Sequence, residues 1–135
     1  MKIVFADTGY WEALLNPNDQ PHAKAIAVSA SLGPVRQLTS EMVLDELLAA
    51  LSKIPVRPSV IKGVEAIRAN PNVEVAPQTS LQFGRAFDLY RQMADKEWSL
   101  ADCASFEIMR ERGLTEALAH DQHFVQAGFI ALLRE

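Results

Sequence analysis

Residues 98–109, Trp-Ser-Leu-Ala-Asp-Cys-Ala-Ser-Phe-Glu-Ile-Met, have the pattern of a buried helix. Leu100, Ala104 and Ile108 recur at helical spacing, and further apolar residues extend this surface almost around the helix. Asp102 points in the same direction, so its carboxylate must be paired, protonated or bound to a cation. Ser99 is also a natural N-cap, with Asp102 at the partner position of a capping box. A capping role and a functional role for Asp102 therefore both remain open.

The composition is that of an ordinary globular protein. The 135 residues are 49% hydrophobic and 22% charged, which predicts a single domain over residues 1–135. The net charge of −4 argues against a broad basic face for nucleic acid, but not against a nuclease whose acidic pocket is neutralised by divalent cations. No apolar run is long enough to span a membrane and residues 1–5 are too short for a signal peptide, so we expect a cytoplasmic location.

The only cysteine is Cys103, on the helix described first. A single cysteine excludes an internal disulfide and a cysteine-based metal site. We therefore interpret Cys103 as a small core residue.

Short apolar segments alternate with helical patterns along the chain. Strands are predicted at residues 2–6, 35–38, 73–76 and 114–119, and a last apolar run covers 129–133. Helices are predicted at 10–15, 21–31 and 59–69, and after the capping residues Ser40, Thr79 and Ser99. This alternation predicts an α/β fold with a mainly parallel sheet. In such sheets the working crevice lies beyond the carboxyl ends of the strands.

Four acidic residues are candidates for a site in that crevice, and we call them the acidic cluster: Asp7, Glu46, Asp102 and Asp121. Capping would explain each aspartate alone, and solvent exposure would explain Glu46; periodicity does not decide between Glu46 and its neighbour Asp45. Gathered at one sheet edge, these carboxylates would repel one another unless a cation bound them. Carboxylate oxygens suit Mg²⁺ or Mn²⁺ better than zinc, and such a site performs phosphodiester hydrolysis.

Four segments, in order along nearly the whole chain, resemble the motifs of the PIN-domain family. Within that family the chain is most similar to the VapC-type toxins of bacterial toxin–antitoxin pairs. The segments are Val4-Phe5-Ala6-Asp7-Thr8 with Trp11, Thr39-Ser40 with Val43-Leu44-Asp45-Glu46-Leu47, Trp98-Ser99-Leu100-Ala101-Asp102-Cys103, and Ala117-Leu118-Ala119-His120-Asp121-Gln122-His123-Phe124 with Gly128-Phe129. Each motif is weak alone, but the ordered set is fairly specific.

The resemblance implies a three-layer α/β/α sandwich and a Mg²⁺- or Mn²⁺-dependent endoribonuclease. The acidic cluster would bind the metal and carry the catalysis, with the hydroxyls of Thr8 and Ser99 nearby. Ala101 and Ala119 stand where the family often has a hydroxyl, which puts the rate in question more than metal binding. An RNA substrate, a small inhibitory antitoxin and a homodimer are the implied partners.

Other patterns are weaker. His120 and His123 have ligand-like spacing, but no third nitrogen or sulfur ligand is evident nearby, which disfavours zinc. Tyr10 and Trp11 are capable of stacking on bases, although core or dimer contacts are more typical of such aromatics. A solvated face is favoured over phosphate contacts for three basic residues, Lys53, Arg57 and Lys62.

Two other function classes remain in view. The first is a PIN-fold module that binds RNA or protein and has little or no catalytic activity; metal binding without RNA cleavage would distinguish it. The second is a signalling domain in which Asp7 accepts a phosphoryl group. That class is disfavoured because it gives no role to Asp102 and Asp121 late in the chain.

Overall fold

A computed structural model describes residues 1–134 as a parallel sheet with helices between its strands. The strands are β1 (Lys2–Ala6), β2 (Val35–Ser40), β3 (Val73–Ala76), β4 (Glu116–Leu118) and β5 (Ile130–Ala131). The helices are α1 (Thr8–Leu15), α2 (His22–Ser31), α3 (Glu41–Ala50), α4 (Arg57–Ala69), α5 (Ser80–Gln92), α6 (Leu100–Glu111) and α7 (Gln122–Gln126). Within this part of the chain, no helix is both long and apolar enough to cross a membrane.

The strand order is β3-β2-β1-β4-β5, and every neighbouring pair is parallel. The chain therefore begins in the middle of the sheet, builds outward to β3, and returns to place β4 on the free side of β1. The direction of the connections reverses between β1 and β4, where Ala6 pairs with Leu118. Ligands bind outside the carboxyl ends of the strands at such a switch point. The predicted parallel sheet is confirmed, although β4 is shorter than expected and the last apolar run supplies an additional edge strand.

Both faces of the sheet are covered by helices. Val4, Phe5 and Ala6 are all fully buried, although successive residues of a strand point to opposite faces. Only a layer of helices on each side buries all three. The expected three-layer α/β/α sandwich is therefore confirmed.

Helix α6 is the buried helix predicted from residues 98–109. Its ring of Phe106 packs edge-to-face against Trp98 and Phe124, with ring centroids 4.9 and 5.0 Å apart. Leu100, in the first turn, is only partly buried. The buried residues of α6 are Ala101, Cys103, Ala104, Ser105, Phe106, Ile108 and Met109, which confirms Cys103 as a core residue.

Tyr10 and Trp11 lie in the core, with exposed fractions of 2% and 4%. The core interpretation of these two rings is therefore confirmed, and they are too buried to stack on bases. The indole nitrogen of Trp11 donates to Thr39 Oγ1 at 3.2 Å. The Thr39 hydroxyl in turn donates to the carbonyl of Ala6 at 2.8 Å. This buried chain of hydrogen bonds ties α1 and β2 to the end of β1, one residue before Asp7.

We expect Thr39→Val to destabilise the protein by about 1–3 kcal/mol, because it leaves the buried Trp11 indole N–H without its acceptor. Thr115→Val is the matched control, since Thr115 is exposed. Urea unfolding of both variants measures the difference. An equal, small effect of the two substitutions would contradict the structural role given to the Thr39 hydroxyl.

Candidate metal centre

A cavity of about 690 Å³ opens beside the carboxyl ends of β1 and β4 and is lined by all four residues of the acidic cluster. Two further acids, Glu12 and Glu97, also line it, and no lysine or arginine does so within residues 1–134. Six carboxylates facing one cavity produce a negative potential that attracts cations and repels phosphates. The structure thus brings together the four acids that the sequence places far apart.

Asp102 is held by the start of α6. Its carboxylate Oδ2 accepts a hydrogen bond from the Ser99 N–H at 3.0 Å, and Ser99 Oγ accepts from the Asp102 N–H at 3.0 Å. The predicted capping box is therefore present, yet Asp102 also lines the cavity. One carboxylate oxygen serves the cap, while Oδ1 has no hydrogen bond from the described part of the chain. Capping and metal binding by Asp102 are compatible.

Asp121 is held in the same manner at the start of α7. Its Oδ1 accepts from the N–H of His123 at 2.9 Å, which confirms the capping interpretation. Asp121 nevertheless lines the cavity with its side chain about half exposed. The cap fixes the carboxylate at the cavity wall.

Asp7 departs from the capping interpretation. It precedes α1, but its carboxylate makes no capping hydrogen bond, and only its backbone carbonyl accepts from Tyr10 and Trp11. Burial raises the pKa of Asp7 to about 7, and repulsion from Asp102, Glu46 and Asp121 adds to this effect, while the Thr8 N–H opposes it. Each of the other three acids therefore acts electrostatically on Asp7.

Glu46 points into the cavity from α3, whereas Asp45 is exposed and lies outside the lining. The solvated interpretation of Glu46 is therefore wrong. Thr8 Oγ1 donates to Glu46 Oε1 at 2.6 Å, which orients the carboxylate. Burial raises the pKa of Glu46 and repulsion from Asp102 raises it further, although the Thr8 hydrogen bond partly offsets both.

Sequence reasoning missed two acids of this cavity, Glu12 and Glu97, and it considered His123 only as a zinc ligand together with His120. Glu12 lies one helical turn after Thr8, and this i, i+4 spacing was the available signal. His123 lies against two acids, with Nδ1 at 2.9 Å from Asp102 Oδ2 and 3.3 Å from Asp121 Oδ1. One possible ligand atom from each of Asp102, Asp121 and His123 lies within 4.8 Å of the others. No spacing rule links His123 to Asp102, because they are 21 residues apart.

The donor set suits a divalent metal ion. Carboxylate oxygens dominate the lining, and hard divalent cations prefer such ligands. Burial, and then repulsion from the neighbouring acids, raises the pKa of Asp7, so its charged form is unfavourable in this cavity and a bound cation would offset that cost. Ala101 and Ala119 are buried and do not contribute to the lining formed by residues 1–134.

No family model matches the sequence. The chain is 32% identical over 133 residues to the 23S rRNA-specific endonuclease VapC20 of Mycobacterium tuberculosis, a match that covers 98% of this chain and all of VapC20. The crystal structure of that protein, a sarcin–ricin loop cleaving toxin, superposes with a TM-score of 0.86 at 31% identity, covering 94% of this chain and 96% of VapC20.

Two more distant structures share the fold alone. VapBC2 of Rickettsia felis, bound to promoter DNA, has a TM-score of 0.65 at 13% identity and covers 96% of each chain. FitAcB of Neisseria gonorrhoeae has a TM-score of 0.63 at 17% identity, with 95% of this chain and 94% of the other covered. The ordered motifs, the sheet topology and the identity to VapC20 over its full length together show that this chain belongs to the VapC family of PIN-domain toxins.

Proposed function

We propose that this protein is a metal-dependent endoribonuclease and the toxin of a toxin–antitoxin pair, acting as one unit over residues 1–135. The observation that carries the proposal is the meeting of the acidic cluster in one cavity at the switch point of the sheet. RNA does not approach six carboxylates closely unless cations neutralise them. The relationship to VapC20 supports 23S rRNA as the substrate.

The acidic cluster would hold Mg²⁺ or Mn²⁺, directly or through bound water. When bound, such an ion lowers the pKa of a water molecule and stabilises negative charge on the phosphate and the leaving oxygen. Thr8 orients the Glu46 carboxylate through its 2.6 Å hydrogen bond. The Ser99 N–H holds Asp102, and the His123 N–H holds Asp121, so three of the four acids need little reorganisation.

The antitoxin partner follows from the charge of the same cavity. A small antitoxin presenting a basic side chain would complement its charge and block the substrate. Because the proposed substrate is ribosomal, we propose that the protein acts in the cytoplasm.

We also propose a homodimer, supported by the exposed, stacked rings of Phe83, Phe87 and Tyr90 on α5. Sedimentation of the protein as a monomer at micromolar concentration would contradict the proposed homodimer.

We expect Asp7→Asn, Glu46→Gln and Asp102→Asn each to lower RNA cleavage at least about 100-fold, because each removes a charged ligand of the metal. The readout is cleavage of ribosomes and of total RNA with and without Mg²⁺, with primer extension on 23S rRNA. Circular dichroism shows whether each variant keeps its fold.

Asp45→Asn is the matched control, because Asp45 neighbours Glu46 on α3 and points away from the cavity. Its activity should stay near that of the wild type. Thr8→Ser should retain the activity that Thr8→Val loses, since serine keeps the hydroxyl bonded to Glu46. Wild-type protein that binds Mg²⁺ but cleaves no RNA would favour the non-catalytic binding module instead.

Without metal, the stability of the protein should depend on pH through Asp7. The pKa of Asp7 rises from 3.8 to about 7 on folding, so the folded chain holds a proton that the unfolded chain has released between these values. Without metal, stability conferred through Asp7 is therefore present near pH 4 and is lost as the pH rises to 7. Between pH 4 and pH 7, the free energy of unfolding of Asp7→Asn should therefore rise relative to that of the wild type by on the order of 2–4 kcal/mol.

The measurement is urea unfolding in EDTA at several values between pH 4 and pH 8. Asp45→Asn serves again as the control, and its difference from the wild type should change little with pH. Added Mg²⁺ at pH 8 should stabilise the wild type more than Asp7→Asn. Parallel pH profiles for wild type and Asp7→Asn would contradict the buried, acidic environment assigned to Asp7.

A further inference from the structure

We propose that His123 is a nitrogen ligand of the metal at the acidic cluster and makes the site select Mn²⁺ over Mg²⁺. The inference rests on the proposed function, since it concerns the same metal. His123 is not one of the four acids that the family motifs indicate. It enters the site through the fold, from the first turn of α7.

Nδ1 of His123 is within hydrogen-bonding distance of Asp102 and close to Asp121, so an ion bound beside it would lie near all three side chains. Nδ1 lies 2.9 Å from Asp102 Oδ2 and 3.3 Å from Asp121 Oδ1. An octahedral ion with bonds of about 2.1 Å holds adjacent ligand atoms about 3 Å apart. One ligand atom from each of the three side chains lies within 4.8 Å of the others, so small side-chain shifts would bring all three onto a single ion.

The side chain of His123 is also largely shielded from solvent. It is 19% exposed and Asp102 is 14% exposed, so the pair is largely withdrawn from solvent at the cavity wall. The backbone N–H of His123 donates to Asp121 Oδ1, so the Asp121 carboxylate is held next to the backbone of His123. Because the cap uses the backbone, replacing the side chain leaves the Asp121 hydrogen bond available.

The ligand type determines the metal preference. Oxygen ligands alone serve Mg²⁺ well, and Mg²⁺ rarely takes nitrogen in a site of this kind. Imidazole favours first-row transition metals, so one histidine among carboxylates raises the affinity for Mn²⁺ more than for Mg²⁺. A purely positioning role, in which His123 only bonds Asp102, predicts no contact between imidazole and metal.

The test uses the full-length, metal-free protein and Mn²⁺ as the probe. Pulsed electron paramagnetic resonance detects a histidine nitrogen bound to Mn²⁺, and ¹⁵N-histidine labelling identifies its source. We compare the wild type with His123→Gln and with the control His120→Gln, because His120 lines the same cavity but is exposed. Circular dichroism verifies the fold of each variant.

We expect a histidine nitrogen signal in the wild type and in His120→Gln, and its loss in His123→Gln. His123→Gln should weaken Mn²⁺ binding about tenfold or more, as loss of a metal-site residue does, while Mg²⁺ affinity measured by competition stays within about threefold. Mn²⁺ bound without a histidine nitrogen, or equal losses for both ions, would overturn the inference and leave the proposed nuclease standing. Failure of the wild type to bind Mn²⁺ or Mg²⁺ would overturn both.

Discussion

The cost of burying carboxylates close to one another is the constraint on which the account of this protein depends. The fold reverses direction between β1 and β4, and this reversal brings the acidic cluster to one cavity that is free of lysine and arginine within the described residues. Burial and the acidic neighbours raise the pKa of Asp7 to about 7, so the folded chain disfavours the charged form of this carboxyl. A chain that keeps such a cluster gives up stability for binding, as functional sites commonly do.

Local capping provides the rigidity that this site needs. Ser99 and the N–H of His123 hold Asp102 and Asp121 at the starts of two helices, and each acid retains one oxygen without a hydrogen bond from residues 1–134. Thr8 performs a similar task for Glu46. A helix N-terminus here positions a carboxylate at the cavity wall, so a capping motif in a sequence does not by itself argue against function.

The sequence predicted the elements and the four acids because these depend on local patterns and on ordered motifs. Choosing Glu46 over Asp45 required the tertiary structure, since both flank the apolar stripe of α3. The capping role given to Asp7 was wrong because its side chain lies among other acids and makes no capping bond. His123 was missed as a neighbour of Asp102 because their contact joins α7 to the start of α6, a juxtaposition that no spacing rule contains.

Diffraction from crystals grown with Mn²⁺ tests the central claim most directly, because the anomalous signal of manganese locates the ion without assumptions about the protein. We expect a single strong peak or a close pair of peaks in the cavity between Asp7, Glu46, Asp102 and Asp121. A well-ordered cavity with no peak at millimolar Mn²⁺, or manganese bound only elsewhere on the surface, would contradict it.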